Sequence, residues 1–227
     1  MLRSTRKLEG YNVVANDGEI GRVHDFLFND TNWEIKYLVV STGKWLGARK
    51  VLVPPGALGR PDWDGRLFPL LLTRVQVRNS PPITADEPVS RQHAADFNEY
   101  YYSNWNPAWT GKPEKEGDPH LRSIREILGY RVQAVDDAVG HIDDFIVDDS
   151  GWVIKLAVID TRSLLPGKRI MIPAARIESI LWGESRLFVN LEKAEIEELP
   201  RYDPKQPVNS AVETVFYDYE GKRHYPQ

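Results

Sequence analysis

The sequence predicts a mainly β protein: two small β-barrels in tandem, each followed by a short helical, aromatic-rich appendage. Three observations carry that expectation. The first is a duplication. Slid by 119 residues, Leu2-Arg3-Ser4 falls on Leu121-Arg122-Ser123, Gly10-Tyr11 on Gly129-Tyr130, Asp25-Phe26 on Asp144-Phe145, and Trp33 on Trp152. The register runs without a gap from Leu2 to Pro54, which meets Pro173. A repeat this long is a domain duplication, because solenoid units run ~20–50 residues. The second is the alternation of apolar and polar residues in short stretches. The third is the turn residues between those stretches, at the ~8–12-residue spacing of sandwiches and barrels.

In order along copy one, Tyr11–Ala15 is a short strand, and Asn16-Asp17-Gly18-Glu19 is a turn whose glycine tolerates positive φ. Ile20–Phe28 is the return strand. Asn29–Asn32 is the next turn, and Trp33–Val40 follows as a strand with Trp33, Ile35, Tyr37 and Val39 on one face. Lys50–Val53 ends at Pro54, and Arg66–Leu72 is a further strand. Copy two repeats these as Tyr130–Ala134, Val139–Val147, Trp152–Ile159, Arg169–Ile172 and Arg186–Leu191. Five or six strands make a thin sandwich with poorly protected edges, so a closed barrel is expected. Gly21 and Gly140, inside strand patterns, mark a bulge or bend.

The repeat continues beyond the barrels. Phe97 meets Phe216 and Tyr100 meets Tyr219. Ser210 with Glu213 fits a capping box before an apolar face of Val212, Val215, Phe216 and Tyr219; Ser90 caps a segment bringing together Ala94, Phe97 and Tyr101. The expected organisation is a barrel over 1–82, appendage and linker over 83–119, a second barrel over 120–202 and a C-terminal helical appendage over 203–227.

Composition narrows the function classes. The 29 Lys+Arg and 33 Asp+Glu leave a net charge of −4, without the basic excess of a nucleic-acid binder. With no cysteine, disulfides, thiolate catalysis and thiolate metal sites are excluded. Neither a signal-peptide core nor an apolar run of the ~18–20 residues a membrane span needs is present, so a soluble, cytoplasmic protein is expected.

Certain residues carry a family resemblance. Gly10-Tyr11-x-Val13, Asp17-Gly18-x-Ile20-Gly21-x-Val23-x-Asp25, Trp33-x-Ile35-x-Tyr37 and Val51-Leu52-Val53-Pro54 resemble a PRC-barrel domain. Gly129-Tyr130, Gly140–Asp144 and Ile170-Met171-Ile172-Pro173 repeat the pattern. The family includes the cytoplasmic domain of the photosynthetic reaction centre H subunit and the C-terminal half of a ribosome maturation factor. The resemblance implies a small β-barrel that binds other proteins, with no catalytic constellation.

The residues themselves offer little chemistry. Asp136, Asp137, Asp143, Asp144, Asp148 and Asp149 cluster in copy two, but their spacing is not that of a calcium loop, and solvated turns are the simpler reading. Only Asp17, Asp25 and Asp30 have matching aspartates in the other copy. Asp25 and Asp144, beside a core aromatic, suit a backbone-capping role. His24, His93, His120, His141 and His224 never recur in register and form neither metal-ligand spacing nor a triad. Ser41-Thr42-Gly43-Lys44 lacks the leading glycine of a phosphate loop. No catalytic residue, metal site or cofactor is expected.

The remaining candidate is an aromatic interface of Phe97, Tyr100, Tyr101, Trp105, Trp109, Phe216 and Tyr219, either covering its own barrels or meeting a partner. The expected function is therefore a non-enzymatic protein-binding or assembly module that pairs with a protein partner or with itself. One rival is an RNA- or ribosome-associated factor using Lys44, Arg49 and Lys50; DNA is not expected. The other is a peripheral factor related to reaction-centre assembly.

Overall fold

The computed structural model describes residues 1–47, 49–81, 100, 119–161 and 168–208. The appendage helices expected over 83–119 and 203–227 fall almost wholly outside these residues. The chain opens with strand β1 (Leu2–Ser4) and a one-turn helix α1 (Thr5–Leu8). It forms two compact units: the first is Lys7–Glu126, the second Met1–Arg6 with Ile127–Gln227. The first unit is continuous, whereas the second joins the first six residues to those beyond 126.

In the first unit, β2 (Asn12–Ala15), β3 (Gly18–Asn29), β4 (Ile35–Ser41), β5 (Lys50–Val53) and β6 (Leu67–Pro69) form a sheet of order β5-β4-β3-β2-β6. Helix α2 (Arg74–Asn79) follows, and β7 (Leu121–Ser123) pairs with β3. A one-turn helix, α3 (Ile124–Ile127), carries the chain to the second unit. There β8 (Arg131–Gln133), β9 (Ala138–Asp148), β10 (Val153–Asp160), β11 (Arg169–Pro173), β12 (Ile177–Leu181) and β13 (Arg186–Val189) precede helix α4 (Lys193–Glu198). Their order is β11-β10-β9-β8-β13-β12, and β1 pairs with β9. The molecule is mainly β, as the alternation predicts.

The closed barrel is corrected. Each sheet is an open path of ladders rather than a ring. In the first unit β5 runs into Pro54 and Pro55, which have no N–H to extend a ladder. A 3-10 turn over Pro55–Ala57 follows, and the far side is reached by one bridge, Leu58 to Leu70.

Trp33 and Trp152 are also corrected. β4 and β10 begin after them, and both tryptophans sit in hairpin loops at φ 63° and 52°. Trp33 is half-buried and stacks on Phe28, with ring centroids 5.4 Å apart. The core is instead Phe26, Phe28, Leu38, Leu52 and Phe68 in the first unit, and Phe145, Ile154, Ile172 and Leu187 in the second. From Tyr37 to Val40 both faces of β4 are buried, so the predicted period-2 pattern holds only at its start.

The two strand glycines have a steric reason. A Cβ on Gly21 would lie 1.9 Å from the Ser41 carbonyl oxygen, and one on Gly140 would lie 2.2 Å from that of Asp160. A register shift stands beside each, at Val13/Val14 and Val132/Gln133. These are the bulges expected from glycine within a strand.

Candidate functional site

In each unit an edge of the longest described strand carries a dense set of polar contacts. β4 covers one edge of β3 from Arg22 to Phe28, while β2 covers the other only from Gly18 to Arg22. The rest of that second edge would expose unpaired backbone N–H and C=O groups, a liability in any sheet. β7 fills it, with Leu27 opposite Ser123, Phe28 opposite Arg122 and Asn29 opposite Leu121. In the second unit β1 fills the same edge of β9, pairing Ile146 with Ser4, Val147 with Arg3 and Asp148 with Leu2. The two registers are identical under the 119-residue offset.

A buried aspartate anchors each inserted strand. Asp25, 8 % exposed, accepts hydrogen bonds from the Ser123 hydroxyl at 2.6 Å, the Arg125 N–H at 3.2 Å and the Phe26 N–H at 2.7 Å. Asp144, 2 % exposed, accepts from the Ser4 hydroxyl, the Thr5 hydroxyl at 2.9 Å, the Arg6 N–H at 3.1 Å and the Phe145 N–H at 2.8 Å. Burial pushes both carboxyls above the ordinary aspartate range, and the serine hydroxyl is the largest influence acting against it. Tyr202, also raised chiefly by burial, shares the Ser4 hydroxyl.

Outside the anchor, charges repeat as well. Arg122 pairs with Asp30 at 3.1 Å, and Arg3 with Asp149 at 3.0 Å, an equivalent pair in the other unit. One turn further on the two differ. Arg125 meets Glu9 at 2.6 Å, whereas Arg6 meets Asp143 at 3.2 Å, and Arg169 holds the other oxygen of Asp143 at 2.7 Å. These carboxylates and hydroxyls bind and orient a strand.

Residues 2–66 match the PRC-barrel domain. No curated protein matches the chain. The PRC-barrel match runs from β1 to the residue before β6, so it counts as one sequence unit a strand, β1, that the structure seats in the second unit.

The aspartates retained between the copies each have a matched position. Asp17 accepts the Arg74 N–H at the start of α2, and Asp136 accepts the Lys193 N–H at the start of α4. Asp25 with Asp144, and Asp30 with Asp149, are the anchors and ion pairs above. The aspartates of copy two are thus taken up separately: Asp137 pairs with Lys193, and Asp148 accepts from Ser150. Among the described residues no group of three or more acidic or histidine side chains is placed to hold a metal ion.

Of the aromatic candidates, Tyr100 alone falls among the described residues. Its hydroxyl donates to the Gln76 carbonyl of α2 at 2.6 Å, and burial raises its pKa. Phe97, Tyr101, Trp105, Trp109, Phe216 and Tyr219 lie outside them. Of the proposed basic stripe, Arg49 donates to the carbonyls of Val77, Arg78 and Ser80 at the end of α2.

Sequence reasoning missed two things. The short strands at 2–4 and 121–123 were visible only as matched letters, since three residues have no readable period. It also missed Trp63 and Trp182, which coincide if the same offset is carried past Pro54. Trp63 lies 6.5 Å from Tyr11, and Trp182 lies 5.9 Å from Tyr130, each half-exposed. An open hollow of about 650 Å³ in the first unit is lined by Glu9, Glu19, Arg22, His24, Thr42 and Arg74. Its lining mixes both charges. In the second unit a hollow at Gly129, Arg131, His141 and Ser185 has His141 where the first has Arg22.

Proposed function

We propose that the chain is a non-enzymatic binding and assembly module built from duplicated PRC-barrels, acting in the cytoplasm on a protein partner or on itself. The PRC-barrel match over residues 2–66 supports a binding role in general terms. The observation that carries the reading further is the recurrence of one strand-binding edge, with its buried aspartate, in both units. Groups that recur in register are those that hold backbone and hydroxyls. The histidines do not recur. Such a module works by complementarity of edges and surfaces, and main-chain pairing supplies affinity while side-chain pockets supply selectivity.

The test is native affinity capture on the full chain tagged at an exposed site, read by quantitative mass spectrometry with excess untagged chain as competitor. A partner, or the chain itself, retained through salt washes and displaced by competitor is expected. Recovery of no specific protein, the chain included, overturns the reading.

A further inference from the structure

The two inserted strands carry the same five-residue pattern, Leu-Arg-Ser-x-Arg: Leu2-Arg3-Ser4-Thr5-Arg6 and Leu121-Arg122-Ser123-Ile124-Arg125. Each letter has a partner at the edge it fills. The leucine is buried, at Leu2 and at Leu121. The first arginine meets Asp149 or Asp30, and the serine hydroxyl meets Asp144 or Asp25. The second arginine offers its N–H to the same buried aspartate and its guanidinium to Asp143 or Glu9. Each unit, moreover, takes the segment that its own copy of the repeat does not carry.

We propose that the edge of β9 centred on Asp144 is a sequence-selective strand-binding site for Leu-Arg-Ser-x-Arg, filled by the chain's own residues 2–6 and able to take the same segment from a second copy. The proposal rests on the assembly reading and specifies its partner. The two segments fill equivalent edges in the same register, so sequence alone does not assign a segment to an edge. Covalent connection assigns it within one chain, and a second chain offers the same ligand. Asp144 makes the site selective: a strand without serine at that position takes one hydroxyl donor from a buried carboxylate and leaves the Thr5 hydroxyl and the Arg6 and Phe145 N–H groups, a costly loss that disfavours such strands. Asp143 and Asp149 add preference for a basic strand.

The experiment uses the full chain with residues 2–6 deleted as acceptor and a fluorescent peptide of residues 2–8 as probe. Saturable binding is expected, weakened at least tenfold by Arg3→Glu with Ser4→Ala in the peptide. Mixed with a full-length chain carrying Asp144→Ala, whose own edge is impaired, the acceptor gives a 1:1 complex by native mass spectrometry. Should the deletion chain not fold, the same Arg3→Glu and Ser4→Ala changes in the full-length chain weaken the resident segment, and the wild-type peptide replaces it. No uptake by either chain, or equal uptake of both peptides, overturns the site; peptide uptake without the 1:1 complex overturns the second copy as its occupant. If affinity capture still retains a partner on the wild-type chain after such a failure, the assembly reading survives without this site. If the peptide binds and capture retains nothing, the assembly reading alone falls.

Discussion

At the scale of single residues, Asp144 shows how one buried carboxyl sets both geometry and pH response. Burial raises its pKa, and the hydroxyl and N–H donors around it oppose that only in part. A carboxyl with a raised folded value binds more protons folded than unfolded. Its contribution is fully present below the unfolded value and is lost as pH rises through the folded one. Asp144→Asn does not titrate. The stability of the native chain relative to Asp144→Asn is therefore expected to fall as pH rises from about 3 to 7, measured by urea unfolding at each pH. A difference that stays flat across that range would show that Asp144 does not change protonation on unfolding. Trp33 poses a different residue-scale question. It holds a left-handed backbone, which a bulky residue adopts only at a cost, and its ring is half-buried against Phe28. Trp33→Ala is expected to cost about 2 kcal/mol, below the ~3–5 kcal/mol of a fully buried aromatic. A loss at the upper end would mean the ring is effectively core.

At the scale of elements, the crossing of β3 with the end of β4 depends on Gly21. A methyl group there meets the Ser41 carbonyl oxygen at 1.9 Å, a backbone atom that cannot yield without moving a strand. Gly21→Ala is expected to cost more than about 3 kcal/mol, in the range of severe core overpacking. Gly10→Ala is the control, because a Cβ there has open space and only its positive φ to contend with; a thermal melt in which the two variants behave alike would refute the steric account. Helix α2 shows a second element-scale device. Its N-terminus has a capping box of Thr73 and Gln76, and Arg49 serves the carbonyls at its other end. Six residues do not form a stable helix alone. Thr73 and Gln76 stand in the sequence at capping-box spacing, but the strand expected over Arg66–Leu72 ends before them and no element is expected over 73–79.

At the scale of the whole molecule, each unit depends on a segment distant in sequence. Strand β1 belongs to a unit otherwise made of residues beyond 126, and β7 to one otherwise drawn from the earlier part of the chain. A protease site engineered between Pro113 and Glu114 therefore tests the arrangement. After cleavage of the folded protein, the two pieces are expected to co-elute on size exclusion and to separate only in denaturant. Separate elution without denaturant would refute the exchange of strands.

The sequence by itself determined the mainly β class, the duplication, most strand positions and the two bulge glycines, because alternation, turn residues and an internal register are local or self-referential signals. It also singled out Asp17, Asp25 and Asp30 by their recurrence, though not what they do. The tertiary structure alone decided that Asp25 holds Ser123 and Asp144 holds Ser4, that Trp33 turns a loop instead of filling the core, and that the sheets remain open paths. The anchors depend on which edge a three-residue strand pairs with, a choice made by unsatisfied backbone groups and a buried carboxylate 98 or 140 residues away.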